Sequence, residues 1–153
     1  MSRINLWLES RCPNLSSDEY QITSPEATNY NCFAWAAEED DFWWTPTGDP
    51  EDSVWPDGVP RELTLEAFIQ AYGTIGYFPC DNSEVEPGFQ KIAIYAKEDS
   101  VNDGGQPTHA ARQLPNGRWT SKIGYFEDIE HELNALRGYY YGEVVQILKR
   151  AIA

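Results

Sequence analysis

The sequence is poor in cysteine and has no long apolar run. Its three cysteines, Cys12, Cys32 and Cys80, make no even set and no CxxC pair, so reduced thiols in a cytoplasmic protein are expected rather than a disulfide framework. No apolar stretch reaches the roughly 18 residues that a membrane span needs. The first residues also lack the apolar segment of a signal peptide. The sequence therefore predicts neither a membrane span nor a secretory leader.

Basic residues are scarce. Lys and Arg number 11 against 25 Asp and Glu, which gives a net charge of -14. Such a charge argues against nucleic acids and anionic membranes as partners and favours a cationic peptide or amine. Acidic residues crowd the segments Glu38–Asp41 and Asp49–Asp52. These segments are either a solvated loop surface or an acidic rim that attracts cationic peptides.

Aromatic residues are abundant, with six Trp and nine Tyr among 153 residues. They supply core volume and also line substrate clefts. The length predicts one domain at residues 29–153, preceded by an irregular N-terminal arm at 1–28 that packs on it through Leu6, Trp7 and Leu8. Residues 42–60 hold four prolines and three tryptophans, a composition typical of an ordered loop or lid over a substrate.

Periodicity predicts the remaining elements. A helix runs from Cys32 to about Glu39, with Asn29 or Asn31 as its N-cap. A second helix starts at Thr64, because Leu65, Phe68, Ile69 and Tyr72 form one apolar stripe, and Gly73 ends it. Strands are predicted near 77–78, 90–96, 109–113 and 118–123, followed by a short helix within 128–136 and a strand or helix at 144–152.

The turn at 114–117 fixes a hairpin register. Proline and asparagine suit a type I turn, and Gly117 then forms a bulge that sets Leu114 opposite Arg118. Side chains alternate along strands, so one sheet face carries His109, Ala111, Gln113, Trp119, Ser121 and Ile123. A two-residue Asn-Gly loop is the alternative, and it would bring Thr120 and Lys122 to the face of His109 instead.

His109 is the candidate general base. A catalytic imidazole needs one nitrogen held by an acceptor, so that the other presents the correct tautomer. Ser121 is the nearest polar residue on the same face, and Glu127 or Asp128 could fold back from the following loop to serve instead. Cys32 is the candidate nucleophile, because a helix N-terminus lowers the pKa of a thiol.

The order of these elements resembles the NlpC/P60 and CHAP branch of the papain-like cysteine hydrolases. The resemblance lies in a helix that opens with Cys32, a Pro87-Gly88 turn before an apolar strand, and a strand that starts with His109. It implies an α+β fold in which the nucleophile helix packs on a small antiparallel sheet. Residue by residue, it makes Cys32 the nucleophile, His109 the base and Ser121 the third member. The family usually has His, Asn or Asp at the third position.

The chain is also similar to a bacterial domain family of unknown function, across residues 31–36, 59–62 and 120–124. That family brings no known activity.

The papain-like resemblance implies a cysteine-dependent hydrolase of peptide, isopeptide or glutamine amides. The N–H of Cys32, with the amide of Asn29 or Asn31, would stabilise the oxyanion. His131, expected to be exposed in a helix, would lie at the cleft edge. The predicted substrate-binding residues are Asn29, Asn31, Trp35, Trp43, Trp44, Gln113 and His131.

No cofactor is expected. No metal site is predicted either, because His109, His131 and the cysteines lack ligand spacing. The alternative function is an inactive relative that binds a peptide or protein partner, or an acidic, immunity-type protein that binds a basic one. The sequence leaves the oligomeric state open.

Overall fold

The computed structural model describes residues 3–15, 20–47, 51, 53–98 and 105–152. Its helices are α1 (Arg3–Arg11), α2 (Cys32–Ala36), α3 (Leu65–Gly73) and a 3-10 helix (Leu133–Leu136). Its strands are β1 (Gln21–Ile22), β2 (Trp43–Trp44), β3 (Ser53–Val54), β4 (Phe78–Cys80), β5 (Phe89–Lys97), β6 (Gln106–Gln113), β7 (Trp119–Lys122), β8 (Asp128–His131) and β9 (Glu143–Ala151).

Seven strands form one sheet in the order β1-β8-β7-β6-β5-β9-β4, and every neighbouring pair in it is antiparallel. The short strands β2 and β3 pair separately, in parallel. The central strand of the large sheet is β6, and its neighbour β5 has an apolar run from Ile92 to Tyr95 that is fully buried. Such a run is typical of a strand that is covered on both faces.

The predicted papain-like fold is wrong. The molecule is built on a large, antiparallel seven-stranded sheet with few short helices, rather than on a nucleophile helix against a small sheet. The expected helix within 128–136 is strand β8 followed by one turn of 3-10 helix, and the final segment is strand β9. These C-terminal segments pair with β7 and β5, so they enlarge the sheet on both sides of its centre.

The sheet has two covered faces. On one, which we call the histidine face, Ala93, Tyr95, Ala111, Trp119, Ile129 and Ile147 pack against Ile4 and Leu8 of α1. On the other, which we call the cysteine face, Ile92, Ile94, Ala110 and Leu148 pack against α2 and α3. Because side chains alternate along each strand, neighbouring residues of β6 belong to opposite faces.

Local predictions are confirmed at α3 and at the hairpin. Thr64 caps α3 by accepting a hydrogen bond from the N–H of Ala67 at 3.2 Å, and the helix ends at Gly73. In the hairpin, the N–H of Leu114 donates to the carbonyl of Arg118 at 2.7 Å. Gly117 has a φ of +89°, which glycine adopts without the steric cost of a Cβ. The bulged turn is therefore present, and the two-residue alternative is not.

Two other predictions need correction, and a third falls partly outside the described residues. The helix at Cys32 ends at Ala36 and not at Glu39, because Glu38 has a φ of 66°, outside the helical region. The segment expected to be an irregular arm contains α1, in which Leu8 is buried while Leu6 is 57% exposed. Part of the acidic segment at 49–52 and part of the loop at 42–60 lie outside the described residues.

None of the helices in the described part of the chain combines the length and the apolar character that a bilayer crossing requires.

Candidate functional site

A chain of three buried polar side chains crosses the histidine face. The hydroxyl of Ser121 lies 2.9 Å from Nε2 of His109 and 2.7 Å from Nε2 of His131. Nδ1 of His131 lies 2.7 Å from the carbonyl oxygen of Glu132. All three side chains belong to residues with no exposed surface. The hairpin register correctly placed Ser121 beside His109, whereas the expected exposure of His131 is wrong because β8 pairs with β7 and turns this ring inward.

The hydrogen bonds fix the direction of this chain. A carbonyl only accepts, so Nδ1 of His131 carries a proton and its Nε2 accepts from the Ser121 hydroxyl. The Ser121 oxygen then accepts from Nε2–H of His109. Nδ1 of His109 is left as the unprotonated nitrogen, and it has no hydrogen-bond partner among the described residues. In this arrangement both imidazoles are neutral.

Burial sets the charge state of both rings. It lowers the pKa of His131 to about 4, with a smaller opposing effect of the Glu132 carbonyl. Burial also holds the pKa of His109 well below its usual value, and the neighbouring His131 adds to this. Aromatic rings enclose His109, with ring centroids 4.3 Å away for Tyr141 and 5.4 Å away for Tyr95. The unprotonated nitrogen thus lies in an aromatic core.

Cys32 is the first residue of α2, as predicted, and Asn31 is its cap. Oδ1 of Asn31 accepts from the N–H of Ala34 at 3.0 Å. Burial raises the pKa of the Cys32 thiol to about 12, although the backbone N–H groups of Ala110 and Phe33 oppose the shift. The expected lowering by the helix N-terminus is thus outweighed by burial, and the sulfur is a neutral thiol at pH 7.

Cys32 and His109 pack against different faces of the sheet. Cys32 packs with the residues of the cysteine face, and its sulfur lies near the backbone of Ala110. Ala110 is the residue next to His109 in β6, so the side chains of these two neighbours point to opposite faces. The structure therefore brings His109 and Ser121 together, and no hydrogen bond joins Cys32 to either of them in the described part of the chain.

The cysteine face has its own buried polar groups. The ammonium of Lys122 has no exposed surface and donates to the carbonyls of Gly124, at 2.9 Å, and Phe126. The hydroxyl of Tyr30 donates to Oδ2 of Asp128 at 2.8 Å. Burial raises the pKa of Asp128 and lowers that of Lys122, and the charge of each partly offsets the shift of the other.

Sequence reasoning named Lys122 and Asp128 only as alternatives and missed Tyr30. The available signal was the alternation in 119–122, which places Lys122 opposite Asp128 once β7 and β8 are paired.

Several predicted substrate-binding residues hold the fold instead. Asn31 also accepts from the N–H of Trp44 at 3.0 Å and donates to its carbonyl at 2.8 Å. The indole N–H of Trp35 donates to Thr120 at 3.0 Å. The amide of Gln113 donates to the carbonyl of Ser83 at 2.6 Å. The buried ring of Trp44 stacks on that of Tyr72, with centroids 5.5 Å apart.

Trp43 differs because its ring reaches the surface. Its indole N–H donates to the carbonyl of Thr28 at 2.8 Å, and its ring lies 5.6 Å from that of Tyr125, which is 63% exposed. The neighbouring Asn29, also predicted to bind substrate, donates to the carbonyl of Asp40 at 2.8 Å. We call the pair of Trp43 and Tyr125 the aromatic pair.

Acidic side chains stand next to the aromatic pair in the chain. Carboxylate oxygens of Glu39, Asp40 and Asp41 lie within 4.8 Å of one another. Such a group could hold a cation, although exposed acidic groups are common without one. Asp40 and Asp41 are exposed and Glu39 is half-buried.

Most basic side chains are engaged within the molecule. Lys91 and Lys122 are buried. Four others reach carboxylates at the surface, in the pairs Arg118–Glu130, Lys149–Glu86, Arg150–Glu38 and Arg137–Glu143. The guanidinium of Arg112 lies 4.8 Å above the ring of Trp35. The exposed surface is therefore dominated by carboxylates.

Comparison with curated proteins and with solved structures finds no match. A family model does match, over residues 21–149, and this range includes α2, α3, the buried polar groups of both faces and all of the sheet except the last two residues of β9. The second resemblance predicted from the sequence, to a domain family of unknown function, is thereby confirmed. The chain belongs to the family described as Domain of unknown function (DUF7689).

Proposed function

We propose that this protein is a binding module for a cationic peptide segment of a partner protein. The observation that carries the proposal is the one-sided charge of its surface. Of the basic side chains, only Arg3, Arg61, Lys97 and Arg137 are exposed, and Arg3 and Arg137 lie beside Glu26 and Glu143. Exposed carboxylates occur throughout the described chain, so they are not balanced by free cations.

A surface of this kind steers association. Carboxylates attract a basic segment over about one Debye length and repel phosphate backbones and anionic lipid headgroups. The surface charge therefore disfavours nucleic acids and anionic membranes as partners. Charge complementarity raises the association rate and selects the sign of the partner more than it raises affinity. Affinity therefore needs a more specific contact in addition to the charge.

The buried polar groups support a binding role over catalysis. A thiol hydrolase needs a thiolate and an imidazole within hydrogen-bond reach of each other. Here Cys32 and His109 lie on opposite faces of the sheet, and burial keeps both neutral. The amide hydrolase stays a prediction from the sequence, and alkylation of Cys32 tests it.

We also propose that the protein works in the cytoplasm, as the sequence predicts. The support is that Cys12, Cys32 and Cys80 are all free thiols, which a reducing compartment maintains.

The test is fluorescence anisotropy with a fluorescein-labelled peptide of alternating lysine and glycine. We expect saturable binding with one peptide per chain, weakening as salt is raised because the contact is ionic. The matched probes are the same peptide with glutamate in place of lysine and a labelled DNA duplex, and neither should bind. The peptide recovered from the mixture should be intact by mass spectrometry.

Two results would overturn the proposal. One is the absence of saturable binding of the lysine peptide at low salt. The other is cleavage of the peptide that disappears in a Cys32→Ala variant, which would establish the hydrolase instead.

A further inference from the structure

The aromatic pair lies at the surface of the protein. Tyr125 is among the most exposed large side chains described, and Phe42, just before Trp43, is 48% exposed. Exposed rings cost free energy in water unless something covers them.

Hydrogen bonds hold the chain near both members of the aromatic pair. The ammonium of Lys122 donates to the carbonyls of Gly124 and Phe126, the two residues that flank Tyr125. On the other side, the indole of Trp43 is fixed by its hydrogen bond to Thr28. The next residue, Trp44, is anchored by Asn31 through both its N–H and its carbonyl. A segment whose backbone is already held in place loses less conformational entropy when a ligand covers it.

The chemistry of the neighbourhood selects the ligand. The faces of Trp and Tyr rings attract cations, and Trp does so most strongly. The carboxylates of Glu39, Asp40 and Asp41 lie just ahead of Trp43 in the chain, and Asn29 holds the backbone of Asp40. An alkylammonium group can lie on a ring while its charge is compensated by these carboxylates. A phosphate or carboxylate ligand would be repelled.

The geometry points to the aromatic pair, together with Glu39, Asp40 and Asp41, as the docking surface for a lysine side chain of a cationic peptide. The inference rests on the proposed binding function and gives it a location. The stem of the lysine side chain would cover an exposed ring of the aromatic pair, and the carboxylates that precede Trp43 in the chain would attract its ammonium.

The experiment uses the full chain and the labelled lysine–glycine peptide. Tyr125→Ala removes an exposed ring, and Tyr139→Ala is its matched control because Tyr139 is 62% exposed and contacts Ser10 of α1. We expect Tyr125→Ala to weaken binding about threefold to tenfold, as the loss of one cation–π contact predicts. Tyr139→Ala should leave the affinity within about twofold of the wild type.

A second pair of variants separates the local carboxylates from the overall charge. The double variant Asp40→Asn with Asp41→Asn should weaken binding more than Glu62→Gln with Glu84→Gln, which removes the same charge from exposed positions elsewhere. In a ¹H–¹⁵N spectrum, the indole signal of Trp43, assigned with Trp43→Phe, should shift as peptide is added.

The possible failures are distinguishable. If the wild type does not bind the peptide, the proposed function fails together with this site. If it binds, but Tyr125→Ala and Tyr139→Ala bind equally well and the Trp43 signal does not move, the docking surface is wrong while the binding function stands.

Discussion

The two faces of the seven-stranded sheet bury polar groups in different ways. On the histidine face, the chain from His109 through Ser121 to His131 ends on the backbone carbonyl of Glu132 at one side and on the unpartnered Nδ1 of His109 at the other. On the cysteine face, the ammonium of Lys122 binds the carbonyls of the loop that carries exposed Tyr125. The first set holds strands together inside the core, while the second reaches the surface.

This difference separates structural from functional roles. Neutral groups that satisfy one another inside a core stabilise one arrangement of the strands. A buried charge that holds a surface loop fixes the position of what that loop presents. The residues that suggested a catalytic dyad are divided between the faces, with Cys32 on one and His109 on the other.

The largest expected effect comes from removing the charge of the cysteine face. Lys122→Met leaves the carbonyls of Gly124 and Phe126 without this donor and removes one of the two cations, with Arg112, that act on buried Asp128. We expect the free energy of unfolding to fall by about 4 kcal/mol, as for other broken buried charge networks. Urea unfolding followed by circular dichroism measures this loss.

Lys97→Met is the control, because Lys97 is exposed, and it should change stability by less than about 0.5 kcal/mol. A Lys122→Met variant that is also within about 1 kcal/mol of the wild type would show that Lys122 does not hold the loop.

Acid should act on the two faces in opposite directions. The pKa of His131 is about 4 in the folded chain and 6.5 without the burial, as in the unfolded chain. The unfolded chain therefore binds the proton more tightly. Its contribution to stability is complete above pH 6.5 and is lost as the pH falls towards 4, by about 3 kcal/mol in total. His109, whose pKa burial also lowers, adds to the loss. Asp128 opposes it, because burial raises its folded pKa.

Unfolding by urea at several pH values between 7 and about 4 tests whether the free energy of unfolding falls with acid. His131→Gln should flatten the decline of stability with acid, and Asp128→Asn should steepen it. Equal slopes for the wild type and both variants would contradict the assignment of these groups to buried, oppositely shifted sites.

The sequence was sufficient where the information is local. The bulged turn at 114–117 set the register that places Ser121 beside His109, and the stripe with its Thr64 cap defined α3. The sequence was not sufficient where long-range packing determines the structure. Which face of β6 receives α2 depends on how a five-residue helix docks on a sheet, and nothing in the residues around Cys32 specifies that choice.

His131 was placed at the surface for a similar reason. Its burial follows from the pairing of β8 with β7, which sets His131 opposite Trp119. The alternation of Ile129 and His131 with polar neighbours was the available signal, and the acidic residues around them favoured an exposed helix instead. The aromatic pair could not be found from sequence, because Trp43 and Tyr125 meet only in the folded chain.

The most direct test of this account is the pH dependence of Cys32 alkylation. The folded chain is treated with iodoacetamide between pH 7 and 10, and the Cys32 adduct is quantified by peptide mass spectrometry, with Cys12 and Cys80 as internal references. With a thiol pKa of about 12 and no hydrogen bond to an imidazole among the described residues, the rate at Cys32 should rise across the whole range without a plateau. It should also be unchanged in Ser121→Ala, which removes the only described hydrogen-bond partner of Nε2 of His109. A fast reaction at Cys32 that is already at its plateau at pH 7 would reveal a thiolate paired with a base and would contradict the separation of Cys32 from His109.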